Sequence, residues 1–198
     1  MTATNFPPRI ARQLLIEQID WTSEQYQKMI SVGILTEDDR VELLLGKITE
    51  MSPIGKAHAA CIRILNDYVY ERLYGQYSFS FENPILLPNN SEPEPDFALL
   101  TYREDRYASG HPTAVDVLLV IEVADHTLEK DRVVKSAIYA DAGIAEYWII
   151  NLVDRCIEVH TEPLAADLKY GTCEVYEEKE ALTHSVFGAV EVASLLPY

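Results

Sequence analysis

Within VLLVIEV, residues 117–123, a single carboxylate interrupts a run of strand-forming residues. Such a run reads as a strand buried on both faces. An ionised Glu122 inside it would cost several kcal/mol unless a cation or strong donors compensate the charge. The sequence supplies partners on either side: Asp96, after a proline, and Lys135, on a helical stretch downstream. Two carboxylates at one end of neighbouring strands suit Mg²⁺ or Mn²⁺, which keep several waters and take one or two protein carboxylates plus substrate phosphate. With a lysine to orient water or stabilise developing negative charge, that set points to metal-assisted hydrolysis of a phosphodiester.

Each residue also has a plainer reading. Pro95-Asp96 is in isolation a turn that caps a strand entry. Glu122 could pair with a structural lysine or arginine, and a helical lysine is commonly just solvated. The spacing favours chemistry for Lys135, because Leu128, Asp131, Lys135 and Tyr139 form a stripe at i, i+3, i+7 and i+11 beside an apolar face of Val134, Ala137 and Ile138. Asp131 is placed to pair with Lys135. Glu42, in RVELLL, shares a strand face with Leu44 and is either an exposed carboxylate or a further metal-site residue. His58, near a helix start, either touches substrate phosphate or bonds locally. His126 has no zinc-like spacing to any partner, and EYWIIN reads as a core strand with Trp148 supplying packing area.

The elements that must position these groups are read from periodicity and punctuation. Residues 1–20 read as an extended arm with a helical piece around Ile10–Ile19, and residues 21–198 as a single domain. Thr22 with Gln25 forms a capping box opening a helix that carries Tyr26, Met29 and Ile30 and closes near Gly33. RVELLLGKITEMS predicts a hairpin turning at Leu45-Gly46. From Lys56 to about Leu73 the apolar residues fall at helical spacing. Strands are expected at 77–81, 84–87, DFALL, the Glu122 run, EYWIIN, RCIEVHTE, 173–176 and 190–192, with a helix from about Leu128 to Ala142. The order predicts an α/β domain, a mixed sheet flanked by helices.

Composition narrows the class. The 198 residues are 48% hydrophobic and 10% aromatic, enough for a core. No apolar run is long enough to cross a bilayer, and the N-terminus lacks the apolar region and cleavage site of a signal peptide, so a cytoplasmic location is expected. Cys61, Cys156 and Cys173 have no paired zinc spacing and read as reduced thiols. The net charge of −16 works against long-range attraction of nucleic acid, leaving a local strip (Lys56, Arg63, Arg72, Arg103, Arg106) or metal bridges to phosphate.

The stretch from PDFALL through VLLVIEVADHTLEKDRVVKSAIYADAGIAEYWIIN, with YQKMISVGILTEDDRVELLLGKITEMSPIGKAHAACI upstream, resembles the Uma-type endonucleases of the PD-(D/E)xK restriction-endonuclease-like superfamily. The similarity spans roughly residues 21–162. It implies a restriction-endonuclease-like core, with Asp96 as the PD aspartate, Glu122 as the acidic residue of the (D/E)xK strand, and Glu42 as the early glutamate. Ala124 stands where the superfamily motif has lysine, so that role falls to Lys135 on the following helix. The hairpin turn has Leu45 and Lys47 where the branch commonly carries acidic residues.

The expectation is a Mg²⁺- or Mn²⁺-dependent endonuclease acting on DNA: Asp96 and Glu122 hold the metal, Lys135 and Glu42 complete the catalytic set, and His58 touches substrate. Many cores of this kind pair to reach both strands, which leaves a homodimer open. Two other classes stay open as well: a nuclease-fold binding or regulatory module, which the acidic charge favours, and a metal-dependent hydrolase of small phosphate esters.

Overall fold

The computed structural model describes residues 19–198. The expected helical piece around Ile10–Ile19 and most of the 1–20 arm lie outside the described residues. Helix α1 (Ser23–Ser31) opens on the expected capping box: Gln25 N–H donates to Thr22 Oγ1 at 3.2 Å, and the Gln25 side chain accepts from Thr22 N–H at 3.0 Å. Strands β1 (Val41–Leu44) and β2 (Lys47–Glu50) form the expected hairpin. Leu45 and Gly46 both have positive φ (48° and 75°), the backbone a two-residue hairpin turn requires. Helix α2 (Lys56–Leu73) has the bounds its periodicity predicts.

Six strands make the main sheet in the order β3 (Ser78–Ser80), β4 (Phe97–Leu100), β5 (Val117–Ala124), β6 (Glu146–Asn151), β7 (Cys156–Leu164) and β8 (Lys169–Glu177). Neighbours are antiparallel except β5 and β6, which are parallel. The crossover between that pair is α3, three consecutive helical segments: Leu128–Lys130, a π-helical Asp131–Lys135, and Ser136–Asp141.

Alternation along β5 decides what faces what. Leu119, Ile121 and Val123 point to one side and pack with Cys61, Leu65, Val69 and Leu73 of α2. Val120 and Ala124 point to the other and pack with Ile138, Tyr139 and Ala140 of α3. Glu122 shares that second face, so β5 is buried on both sides as its sequence predicts. The hairpin of β9 (Ala181–His184) and β10 (Gly188–Glu191) adds Leu182, Phe187 and Val190 to the α2 side of the core.

Four expectations of the local structure need correction. The segment 84–87 is no strand: among the described residues it makes only isolated bridges, Leu86 to Thr113 and Leu87 to Ser91. Pro84 and Pro88 bracket it and cannot donate to a ladder. Strand β9 has no counterpart among the strands expected from sequence, and β8 runs from Lys169 rather than starting near Cys173. Val134 is exposed rather than on the apolar face of α3, because the π-turn adds a residue and rotates the helix beyond it.

Candidate active site

Glu122 lies near the C-terminal end of β5 and is 3% exposed. Its Oε1 accepts from Lys135 Nζ at 2.8 Å and from the Tyr139 hydroxyl at 2.7 Å. Its Oε2 lies 3.4 Å from the Asp96 N–H, which donates to it. Asp96 precedes β4 by one residue, and the register pairing Phe97 with Ile121 sets it beside the end of β5. There Val123 N–H donates to Asp96 Oδ2 at 2.6 Å, leaving Oδ1 3.1 Å from His58 Nε2. His58 sits in the first turn of α2 and so reaches over the same strand end.

Lys135 closes the π-turn. Asp131, Lys135, Ser136 and Tyr139 are all buried, with Arg132, Val133 and Val134 turned out between them. Lys135 and Tyr139, four residues apart, lie on one side of the helix and both donate to the same carboxylate oxygen. Asp131 does not pair with Lys135; its Oδ2 instead accepts from Thr127 Oγ1 at 2.6 Å. Glu42, 1% exposed, comes in from β1: its Oε1 accepts from Lys130 Nζ at 2.8 Å, and its Oε2 lies 3.6 Å from Lys135 Nζ.

Asp96, Glu122, Lys135, Glu42 and His58 thus line one pocket, together with Glu94, Lys130 and Asp131. His126 lies at its rim with an exposed side chain. Sequence reasoning gave no role to Tyr139 or Lys130. Tyr139 had a signal, one turn past Lys135 on the same stripe; Lys130 had none, since nothing local distinguishes it from a solvated lysine.

The electrostatics describe a pocket short of positive charge. Burial pushes the Glu122 carboxyl up to about 8 against the pull of Lys135, with Asp96 and Asp131 adding to the rise. Burial likewise raises Asp131 and Glu94. For Lys135 burial acts downward, but Glu122, Glu42 and Asp131 outweigh it and hold the ammonium charged. His58 also ends above its ordinary value: burial lowers it, and the hydrogen bond and charge of Asp96 prevail. Glu42 ends below its usual range: burial raises it, but Lys135 and Lys130 prevail. Burial is the largest cause of each rise, and the neighbouring carboxylates add to it.

These residues fit a divalent cation. The donor set is carboxylate oxygen, Glu42 Oε2 is buried without a hydrogen-bond partner among the described residues, and the backbone donor to Asp96 is spent on Oδ2, leaving Oδ1 free of it. Hard oxygen donors of this kind favour Mg²⁺ or Mn²⁺ over softer metals.

Residues 23–194 match the model of the Uma2 family, described as "Putative restriction endonuclease". The fold is similar to that of a protein from Anabaena variabilis described as "a putative nuclease belonging to DUF820". The TM-score is 0.66 at 16% identity, over 88% of this chain and 96% of that one. No curated protein matches. Among the described residues no helix is long and apolar enough to cross a membrane.

Proposed function

The chain belongs to the Uma2 restriction-endonuclease family, and from that premise we propose that it is a divalent-metal-dependent nuclease hydrolysing phosphodiester bonds in DNA. The observation that carries the proposal is the meeting of Asp96, Glu122 and Lys135, from three different elements, in one carboxylate-rich pocket. Asp96 and Glu122 would hold Mg²⁺ or Mn²⁺, which when bound polarises a phosphoryl oxygen and lowers the pKa of the attacking water.

Lys135 is the charge-stabilising group. Its ammonium donates one hydrogen to Glu122 Oε1 and has two more to aim at water or at a phosphate oxygen. Tyr139, donating to the same Oε1, fixes the carboxylate so that Oε2 faces Asp96. Glu42 is a positioning residue: it draws Lys130 and Lys135 inward, and its charge helps to keep Lys135 an ammonium. His58, whose pKa Asp96 draws above its ordinary value against the effect of burial, is placed to meet the substrate phosphate at the pocket edge. Ala124, small and packed against α3, leaves the charge-stabilising role to Lys135.

A second reading, a nuclease-fold module that binds without cleaving, draws support from the net charge of −16. The two are separated by incubating the full chain with plasmid, single-stranded DNA and RNA in Mg²⁺ and in Mn²⁺ at low salt, beside Asp96→Ala. Cleavage lost in the variant supports the nuclease; metal binding without cleavage of any polymer supports the module.

A further inference from the structure

Outside the pocket a second cluster of metal-ligating side chains forms on the α3 side of the sheet. Glu158 and His160 are two positions apart on β7 and so share a face, and the register pairs His160 with Cys173 on β8. His160 Nε2 lies 3.8 Å from Cys173 Sγ and 4.0 Å from Glu158 Oε2, and one ligand atom from each residue lies within 4.8 Å of the others. A tetrahedral ion with ordinary metal–sulfur and metal–nitrogen bonds would hold such atoms about 3.5 Å apart. The separations seen need only small side-chain rotations to close.

We propose that Glu158, His160 and Cys173 form a second metal site, thiolate-containing and selective for Zn²⁺ over Mg²⁺. One oxygen, one imidazole nitrogen and one sulfur make a borderline-soft set, unlike the carboxylate oxygens of Asp96 and Glu122. The surrounding residues hold the ligands as outer partners of a metal site do. Arg132 Nη2 and Asn151 Nδ2 donate to Glu158 Oε1 at 2.6 and 2.8 Å, leaving Oε2 as the oxygen nearer His160. Arg132 Nε also reaches Oε2, at 2.9 Å, so binding draws that oxygen partly away from the guanidinium. The His160 ring is fixed by stacking on Tyr147, with centroids 5.5 Å apart and planes 29° from parallel. Glu158 and His160 are buried while Cys173 is exposed, so an ion enters from the Cys173 side and keeps water in its fourth position. On ligation the thiol proton passes to solvent.

The sequence hid this site, because Cys173 is 13 residues from His160 with no motif spacing; only the β7–β8 register joins them. Its existence does not depend on the nuclease chemistry of the first pocket.

The test is Co²⁺ titrated into the metal-free full-length protein. A near-ultraviolet thiolate-to-cobalt absorption is expected. Zn²⁺ should displace it and Mg²⁺ should not. The band should vanish in Cys173→Ser, survive in Cys156→Ser and in Asp96→Asn, and need more than about tenfold higher Co²⁺ in His160→Gln. Absence of the band in the wild type, or its persistence in Cys173→Ser, overturns the proposal. Loss of the band in Asp96→Asn would also overturn it, by assigning the ion to the other pocket.

Discussion

Lys135 Nζ lies 2.8 Å from Glu122 Oε1 although the two residues stand 13 positions apart, one on a π-turn and the other inside a central strand. Both are almost wholly buried, so each is the other's main compensation for lost water. The pair shows how a charge can be delivered to a strand end from the crossover helix rather than from the strand itself. Position 124, two residues past Glu122, is an alanine packed against α3.

Removing Lys135 takes away the ammonium that faces both Glu122 and Glu42 and leaves these buried carboxyls without it. Lys135→Ala is expected to destabilise the fold by about 3–5 kcal/mol and to abolish cleavage. Lys130→Ala should cost less, since Lys130 is partly exposed and Lys135 still faces Glu42. Lys135→Arg should not restore activity, because a planar fork replaces a compact ammonium in a closed site. Denaturant unfolding beside a cleavage assay checks all three; equal losses for Lys130 and Lys135 would contradict the ranking.

The raised Glu122 sets a sign for the pH dependence. Burial pushes its carboxyl up to about 8 in the folded chain from an ordinary 4.5, so between those values the folded state binds the extra proton. Stability is then greatest below about pH 4.5 for this group and falls as pH rises towards 8. Asp96, Asp131, Glu42, Lys135 and Tyr139 surround it, and Asp131 is shifted the same way. In metal-free buffer, Glu122→Gln should therefore flatten part of the decline between pH 5 and 8, by on the order of a few kcal/mol. Parallel stability profiles for wild type and variant would contradict the burial of an ionisable group there.

Gly46 is a point where the backbone dictates the residue. Its φ is +75°, and an added Cβ would lie 2.9 Å from Asp20 Cβ and 3.1 Å from the Trp21 carbonyl oxygen. Gly46→Ala should cost more than about 1 kcal/mol and lower activity through the displaced β1, which carries Glu42. A thermal melt shows the first effect, and a cleavage rate measured well below the melting temperature shows the second.

Leu65, fully buried between α2 and the sheet, serves as the counterpart without chemistry. Leu65→Ala should cost about 2–5 kcal/mol while leaving cleavage per folded molecule unchanged, as measured at low temperature.

Much of the architecture was legible because its signals are local. The Thr22 capping box, the Leu45-Gly46 turn, the spacing of Cys61, Leu65 and Val69, and the apolar run around Glu122 each report on a few neighbouring residues. What escaped depends on distant partners. Strand β9 is four residues long and is held by β10 and by the core beneath α2, neither visible in ALTH itself. The π-turn leaves no composition signal, so an ideal helix put Val134 inside. Of the pocket, the carboxylates stood out because a charge in an apolar run demands a partner. The inward course of Lys130 is set by Glu42, 88 residues away.

The measurement that bears hardest on the metal-nuclease reading is the rate of supercoiled-plasmid cleavage at rising Mn²⁺, for the wild type beside Asp96→Asn and Glu122→Gln. Cleavage that saturates with Mn²⁺ in the wild type, stops on chelation and is lost in both variants is the predicted result. Cleavage that persists in either variant, or that proceeds with the metal removed, would contradict the assignment of Asp96 and Glu122 as holders of the ion.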